Sequence, residues 1–164
     1  MNMEEAVTND KNTETPDYSD AALAKKAIVP GVINGVINGA IEWFKFNSFE
    51  QVQITGDSIS SSGLAVFGEA LQVSLILSLA ATIVAYLTFK TGKPKPSFFP
   101  NVLLLTFKHI FLVFGIGTSF AILWQRIFGT IMVSPLTATL MVTVIAGLAA
   151  WFITWMTMRE LVKD

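Results

Sequence analysis

The chain has 164 residues, of which 52% are hydrophobic and 14% charged, with a formal net charge of −1 and no cysteine. A soluble domain carries about a quarter charged residues, so this composition predicts a membrane protein. The small net charge and the lack of a basic patch with interleaved aromatic residues argue against a nucleic-acid partner. The lack of cysteine excludes disulfides and thiolate-based metal sites.

The first segment, residues 1–24, is acidic, and its residues 1 to about 20 are polar with almost no apolar content. This composition predicts a disordered cytoplasmic tail, which either docks a partner or only keeps the chain soluble. Since the tail does not resemble a signal peptide, the first hydrophobic helix is expected to drive membrane insertion itself. Residues 25–164 form the predicted transmembrane domain.

Four apolar stretches follow, and each is about as long as, or longer than, the roughly 20 residues that a transmembrane helix needs. The linker 47–62 is polar, and its short apolar alternation does not suffice to predict a strand. The loop 90–96 is rich in lysine and proline, so no helix is expected to cross it. The sequence therefore predicts an all-α, polytopic membrane protein of four transmembrane helices, which lie at about 28–46, 64–89, 100–127 and 132–156.

The distribution of basic residues predicts the orientation. With four spans, both termini lie on one side, and seven basic residues fall there against two on the other side, Lys45 and Arg126. The positive-inside rule then predicts cytoplasmic N- and C-termini in a cell inner or plasma membrane. The seven are Lys25, Lys26, Lys90, Lys93, Lys95, Arg159 and Lys163.

The two halves of the chain resemble each other. Residues 40–43 match 121–124 at an offset of 81, and residues 79–90 match 148–159 at an offset of 69. One interpretation is a duplicated two-helix hairpin, related by an axis along the membrane normal. The other is a coincidence between alanine-rich spans that end in tryptophan. A duplication would place Leu123 opposite Glu42, which makes the acidic group particular to the first half.

The first span carries small and polar residues at regular intervals. Gly31, Gly35 and Gly39 recur every four residues and form what we call the glycine face. Small residues at this spacing let helices approach closely. We therefore expect the glycine face to pack helices, either joining copies of the chain into a homo-oligomer or docking a partner membrane protein. Around a symmetry axis, the same face would line a pore.

Polar residues beside this face suggest an ion site. Glu42 lies about 21 Å along the helix from Ile28, and Glu69 lies at a similar depth near the start of the second span. A carboxyl group in lipid is costly unless it is protonated, paired or hydrated. The candidates for transport or ion binding are therefore Glu42, Asn34, Asn38, Glu69 and Gln72. In the alternative interpretation, Glu42 lies among the lipid headgroups and is simply wetted.

Lys108 and His109 form a second candidate pair. If the third span begins at Phe98, they lie about 15 Å deep and are candidates for function. If it begins nearer Thr106, they lie at the cytoplasmic surface, where the lysine extends to the headgroups. A contact of either residue with Glu69 would require neighbouring helices at matching depth.

These observations favour a transporter or channel subunit for a small cation or polar solute, with its ionisable site on the first helix. The alternative is a non-transporting scaffold or accessory subunit that packs a partner helix on the glycine face. We expect no enzyme, because no catalytic group of residues can be assembled from the sequence. An intramembrane lipid-modifying enzyme would need Glu42 and Glu69 to converge. The sequence indicates no metal and no cofactor, and the lipid bilayer is the expected surrounding.

Overall fold

The computed structural model describes residues 17–57, 64–92 and 94–163. Within these ranges the chain forms four long helices and two short strands, and every one of the helices is long and apolar enough to cross a membrane. The predicted all-α fold with four candidate spans is thus confirmed. The helices are α1 (Asp20–Phe46), α2 (Val66–Thr88), α3 (Leu103–Phe128) and α4 (Pro135–Val162), and the strands are β1 (Val52–Ile54) and β2 (Ile131–Val133).

Capping residues set two helix starts. The Ser19 hydroxyl accepts a hydrogen bond from the backbone N–H of Ala22 and caps α1. Because of this cap, α1 begins at Asp20, inside the stretch 1–24 that was predicted as a tail. The rest of that prediction concerns 1–16, which lie outside the described residues, as does the serine run 58–62 of the linker. Ser134 caps α4 in the same way, with Pro135 in the first turn.

The helices pack in a defined order: α1 against α4, α4 against α2, and α2 against α3. Asp20 Oδ1 of α1 and Arg159 Nε of α4 are 3.1 Å apart, so the beginning of α1 and the end of α4 lie at one end of the bundle, which we call the termini end. At the opposite end, the ribbon end, β1 and β2 pair antiparallel through the loops between the helices. β1 has only three residues, and its partner strand lies far away in the sequence. For both reasons the sequence alone did not predict it.

The contacts of the two halves repeat. Each half consists of a helix, a strand and a helix. The first helix of each half packs on the second helix of the other half: α1 on α4, and α3 on α2. The two second helices, α2 and α4, contact each other, and the two strands pair. A two-fold axis along the helices would produce this pattern of contacts. The fold therefore agrees with the interpretation as a duplicated hairpin.

The buried residues of α1 and α3 coincide better at an offset of 82 than at 81. Ala27 and Gly39 are buried in α1, and His109 and Ala121 are buried in α3. At the offset of 82, Trp124 rather than Leu123 would correspond to Glu42. The alignment of 40–43 with 121–124, which matches the tryptophans, stays a prediction, as does the duplication.

The glycine face packs on α4 of the same chain. A Cβ atom added to Gly31 would lie 2.8 Å from Cβ of Trp151 and 3.0 Å from the carbonyl oxygen of Gly147. A Cβ atom at Gly35 would lie 3.0 Å from the carbonyl oxygen of Thr143. The expectation that this face joins two copies of the chain must be corrected, because α4 already occupies it.

Candidate functional site

Three charged side chains meet at the ribbon end of the bundle. Glu42 and Lys45 lie near the end of α1, and Glu69 lies in the first turn of α2. Phe46, the last residue of α1, is fully buried in the same apolar cluster as Val66 at the start of α2. This shared core brings the end of one helix beside the beginning of the next. A cation at a helix C-terminus and an anion at a helix N-terminus also suit the helix dipoles.

The lysine bridges the two carboxylates. Lys45 Nζ lies 2.7 Å from Glu42 Oε1 and 2.7 Å from Glu69 Oε2. At this distance, both contacts are charge-assisted hydrogen bonds. We call Glu42, Lys45 and Glu69 the carboxylate cluster. Since two carboxylates share one ammonium group, the cluster carries one net negative charge when all three groups are ionised.

The cluster opens toward one side. The Glu42 side chain is 0% exposed, that of Glu69 is 14% exposed, and that of Lys45 is 38% exposed. Among the described residues, none donates a hydrogen bond to the second oxygen of Glu42, Oε2. A buried carboxylate oxygen without a donor is energetically costly. The cluster therefore offers a free anionic oxygen in its interior and a partly exposed lysine at its entrance.

The two asparagines lie on the same side of α1 but away from the cluster. Asn38 precedes Lys45 by seven residues, which places it within about 20° around the helix and about 10 Å along it. Both side chains are half-buried and donate Nδ2 hydrogens to their own helix: Asn34 to the carbonyl of Pro30 at 2.8 Å, and Asn38 to that of Asn34 at 2.8 Å. These bonds leave the amide oxygens, the atoms that ligate cations, without a role in the helix.

Gln72 is exposed on α2, one turn beyond Glu69. Its side chain thus lies next to Glu69 along α2 but is not part of the carboxylate cluster. Of the five residues proposed for the ion site, the structure brings Glu42 and Glu69 together, and leaves Asn34, Asn38 and Gln72 along the adjoining helix surfaces.

Lys108 and His109 point in different directions. Lys108 is 58% exposed and its Nζ lies 3.3 Å from Glu160 Oε1, at the termini end of the bundle. His109 is fully buried, and its Nδ1 lies 2.9 Å from the hydroxyl of Thr82. Neither residue contacts Glu69, because that residue is at the ribbon end. The α-helix begins at Leu103, directly after a helical turn at Phe98–Val102. The helical segment that is long and apolar enough to cross the membrane therefore begins at Phe98, the earlier of the two starts considered for the third span.

Sequence reasoning missed Lys45 as a member of the site, since it counted this residue only among the basic residues that predict the orientation. The signal that could have found it is the spacing of three residues from Glu42, which allows an ion pair on one helix face. Its second bond, to Glu69, depends on how α1 and α2 meet and is not visible in either helix alone.

Comparisons with family models, with curated proteins and with solved structures find no match to this chain, so the argument for function rests on the geometry of the carboxylate cluster.

Proposed function

We propose that the protein is a transporter or channel subunit for a small cation, with the carboxylate cluster as its ion site and Glu42 as the ionisable centre. One observation carries the proposal: the carboxylate of Glu42 is fully buried in an apolar span, yet its Oε2 has no hydrogen-bond donor among the described residues. A group that costs so much to bury is expected in a membrane helix where an ion or proton is bound.

In this proposal, Lys45 acts as a tethered cation. Its ammonium group is held between two carboxylates on a flexible four-carbon stem, and 38% of the side chain is exposed. The ammonium can therefore swing out and leave both carboxylates to an arriving cation. The net negative charge of the cluster favours a cation over an anion or a neutral solute. The amide oxygens of Asn38 and Asn34 extend the path along α1 in steps of about 6 Å.

The rival function, a scaffold that docks a partner helix on the glycine face, has weaker support because α4 covers that face. Glu42 and Glu69 do converge, as a lipid-modifying enzyme would require. The sole histidine of the chain is at the opposite end, however, and the bridging lysine occupies one oxygen of each carboxylate. The expectation that the protein is not an enzyme stays a prediction.

The test is cation flux into proteoliposomes under a gradient of Na⁺, K⁺, H⁺ or tetramethylammonium. We expect Glu42→Gln to reduce the flux of the transported cation at least tenfold (about 1.4 kcal/mol in the barrier), because the amide keeps the shape and removes the charge. Glu50→Gln is the matched control, since it removes an exposed carboxylate from the same end of the bundle. It should leave flux unchanged.

Flux that is equal in wild type, Glu42→Gln and Asn38→Leu would refute the proposal. A loss of flux in Glu50→Gln as large as in Glu42→Gln would also refute it, because the effect would then come from surface charge at that end and not from the cluster.

A further inference from the structure

His109 occupies a buried position at the contact between α2 and α3. It lies about 9 Å along α3 from Leu103, in the half of the bundle near the termini end, and its side chain is 0% exposed. Its only hydrogen-bond partner among the described residues is Thr82 of α2. The site is separate from the carboxylate cluster, and the proposed cation function makes no use of it.

The hydroxyl of Thr82 determines which ring nitrogen carries the hydrogen. Thr82 Oγ1 lies 2.7 Å from the carbonyl oxygen of Ser78 and 2.9 Å from Nδ1 of His109. A hydroxyl has one hydrogen, and the carbonyl can only accept. The hydroxyl therefore donates to Ser78 and accepts from Nδ1–H of the imidazole. In the neutral ring, the other nitrogen, Nε2, is then a bare acceptor.

Nε2 has no donor within the part of the chain that the structure describes. Buried polar atoms are nearly always hydrogen-bonded, so an open acceptor in a fully buried ring calls for an explanation. A proton, or the hydrogen of a small donor such as water, satisfies an unpaired imidazole nitrogen.

A recess and two charged side chains lie near the buried ring. A recess of about 300 Å³ at the termini end is lined by Leu105, Lys108 and Glu160 among others, and Leu105 is one turn from His109. From its own helix, the charged neighbour is Lys108, and from α4 it is Glu160, which pairs with Lys108 and with Lys163. From α2, the group that faces the ring is the neutral hydroxyl of Thr82.

We infer that Nε2 of His109 is a proton-binding site in the termini half of the bundle, held open because Thr82 fixes the ring in the Nδ1–H tautomer. The site stands whether or not the carboxylate cluster moves a cation. When Nε2 accepts a proton, the ring becomes imidazolium; Nδ1–H keeps its bond to Thr82, and no other bond changes.

The test uses the fact that the chain has one histidine. The full chain, labelled with ¹⁵N-histidine in nanodiscs, gives two ring-nitrogen signals that distinguish the tautomers. We expect the proton of the neutral form on Nδ1 in wild type, and a shift of population toward Nε2–H in Thr82→Val. A neutral wild-type ring with its proton on Nε2 would overturn the inference.

Acidification provides a second readout. We expect Nε2 to gain its proton while circular dichroism still reports the full helix content. We also expect wild type to take up one proton per chain more than His109→Asn, whose amide can still donate to Thr82 and so preserves the unfolding midpoint. Equal uptake by the two proteins, or a bare Nε2 down to the pH at which the fold is lost, would refute the proton site.

Discussion

Replacing Gly31 by alanine adds one methyl group at the closest approach of α1 and α4. The new Cβ would lie 2.8 Å from Cβ of Trp151 and 3.0 Å from the carbonyl oxygen of Gly147. Carbon atoms in contact need about 3.5 Å, so the helices must separate by about 0.7 Å. Neither neighbour can yield by rotating a side chain, because one atom is bonded to the backbone and the other belongs to it.

The magnitude follows from two opposing effects. Overpacking a well-filled contact costs about 1–3 kcal/mol, and replacing glycine by alanine inside a helix returns about 1 kcal/mol. Gly115→Ala is the matched control, because a Cβ at Gly115 meets nothing within 4 Å and gains the helix term alone. We therefore expect Gly31→Ala to be less stable than Gly115→Ala by about 1–3 kcal/mol.

The assay is equilibrium unfolding in mixed micelles by addition of sodium dodecyl sulfate, followed by circular dichroism at several protein concentrations. Because the contact is made within one chain, the difference between the variants should not depend on concentration. Equal stability of the two variants would refute the close α1–α4 approach. A difference that grows on dilution would show that the glycine face joins separate chains.

Three further outcomes are expected. Lys45→Met should lower the free energy of unfolding by about 1–3 kcal/mol, because it leaves the buried carboxylate of Glu42 and the partly buried one of Glu69 unpaired. Unfolding with and without Glu42→Gln checks this, and Glu42→Gln should recover part of the loss. Gln125→Ala should speed hydrogen exchange in the segment after β1 more than tenfold. The reason is that Gln125 Oε1 accepts hydrogen bonds from Thr55 Oγ1 and from the backbone N–H of Gly56, both at 3.0 Å. Unchanged exchange would show that these two bonds do not hold the segment. The chain has no native cysteine, so single cysteines report the topology. An impermeant maleimide should label Ser19→Cys only from the cytoplasmic side and Ser48→Cys only from the other side. Labelling of both from the same side would overturn the topology.

The sequence predicts the helices well and their ends less well. Apolar stretches of span length locate all four helices because the bilayer sets that length. The ends depend on local bonds: α1 begins at Asp20 because Ser19 caps it, and α4 continues to Val162, beyond the predicted 156. Hydropathy does not detect these extensions, because they carry charged residues that lie outside an apolar window.

The candidate site was only partly predictable for a different reason. The depths of Glu42 and Glu69 follow from counting residues along each helix, and that estimate brought them to the same level. The bridge through Lys45 and the burial of His109 depend on how each helix is rotated about its own axis. That rotation is set by contacts between residues far apart in the sequence, such as Phe46 with the start of α2.

The pairing of α1 with α4 has a consequence for synthesis. Because α1 precedes α4 in the chain and packs on it, the glycine face of α1 must wait in the membrane until residues 135–162 have been made. During that interval, the groove left by three missing side chains is open to lipid, to the insertion machinery, or to the finished α4 of another copy. Chains truncated before α4 are therefore expected to capture the α4 of a neighbouring copy, because their own glycine face stays uncovered.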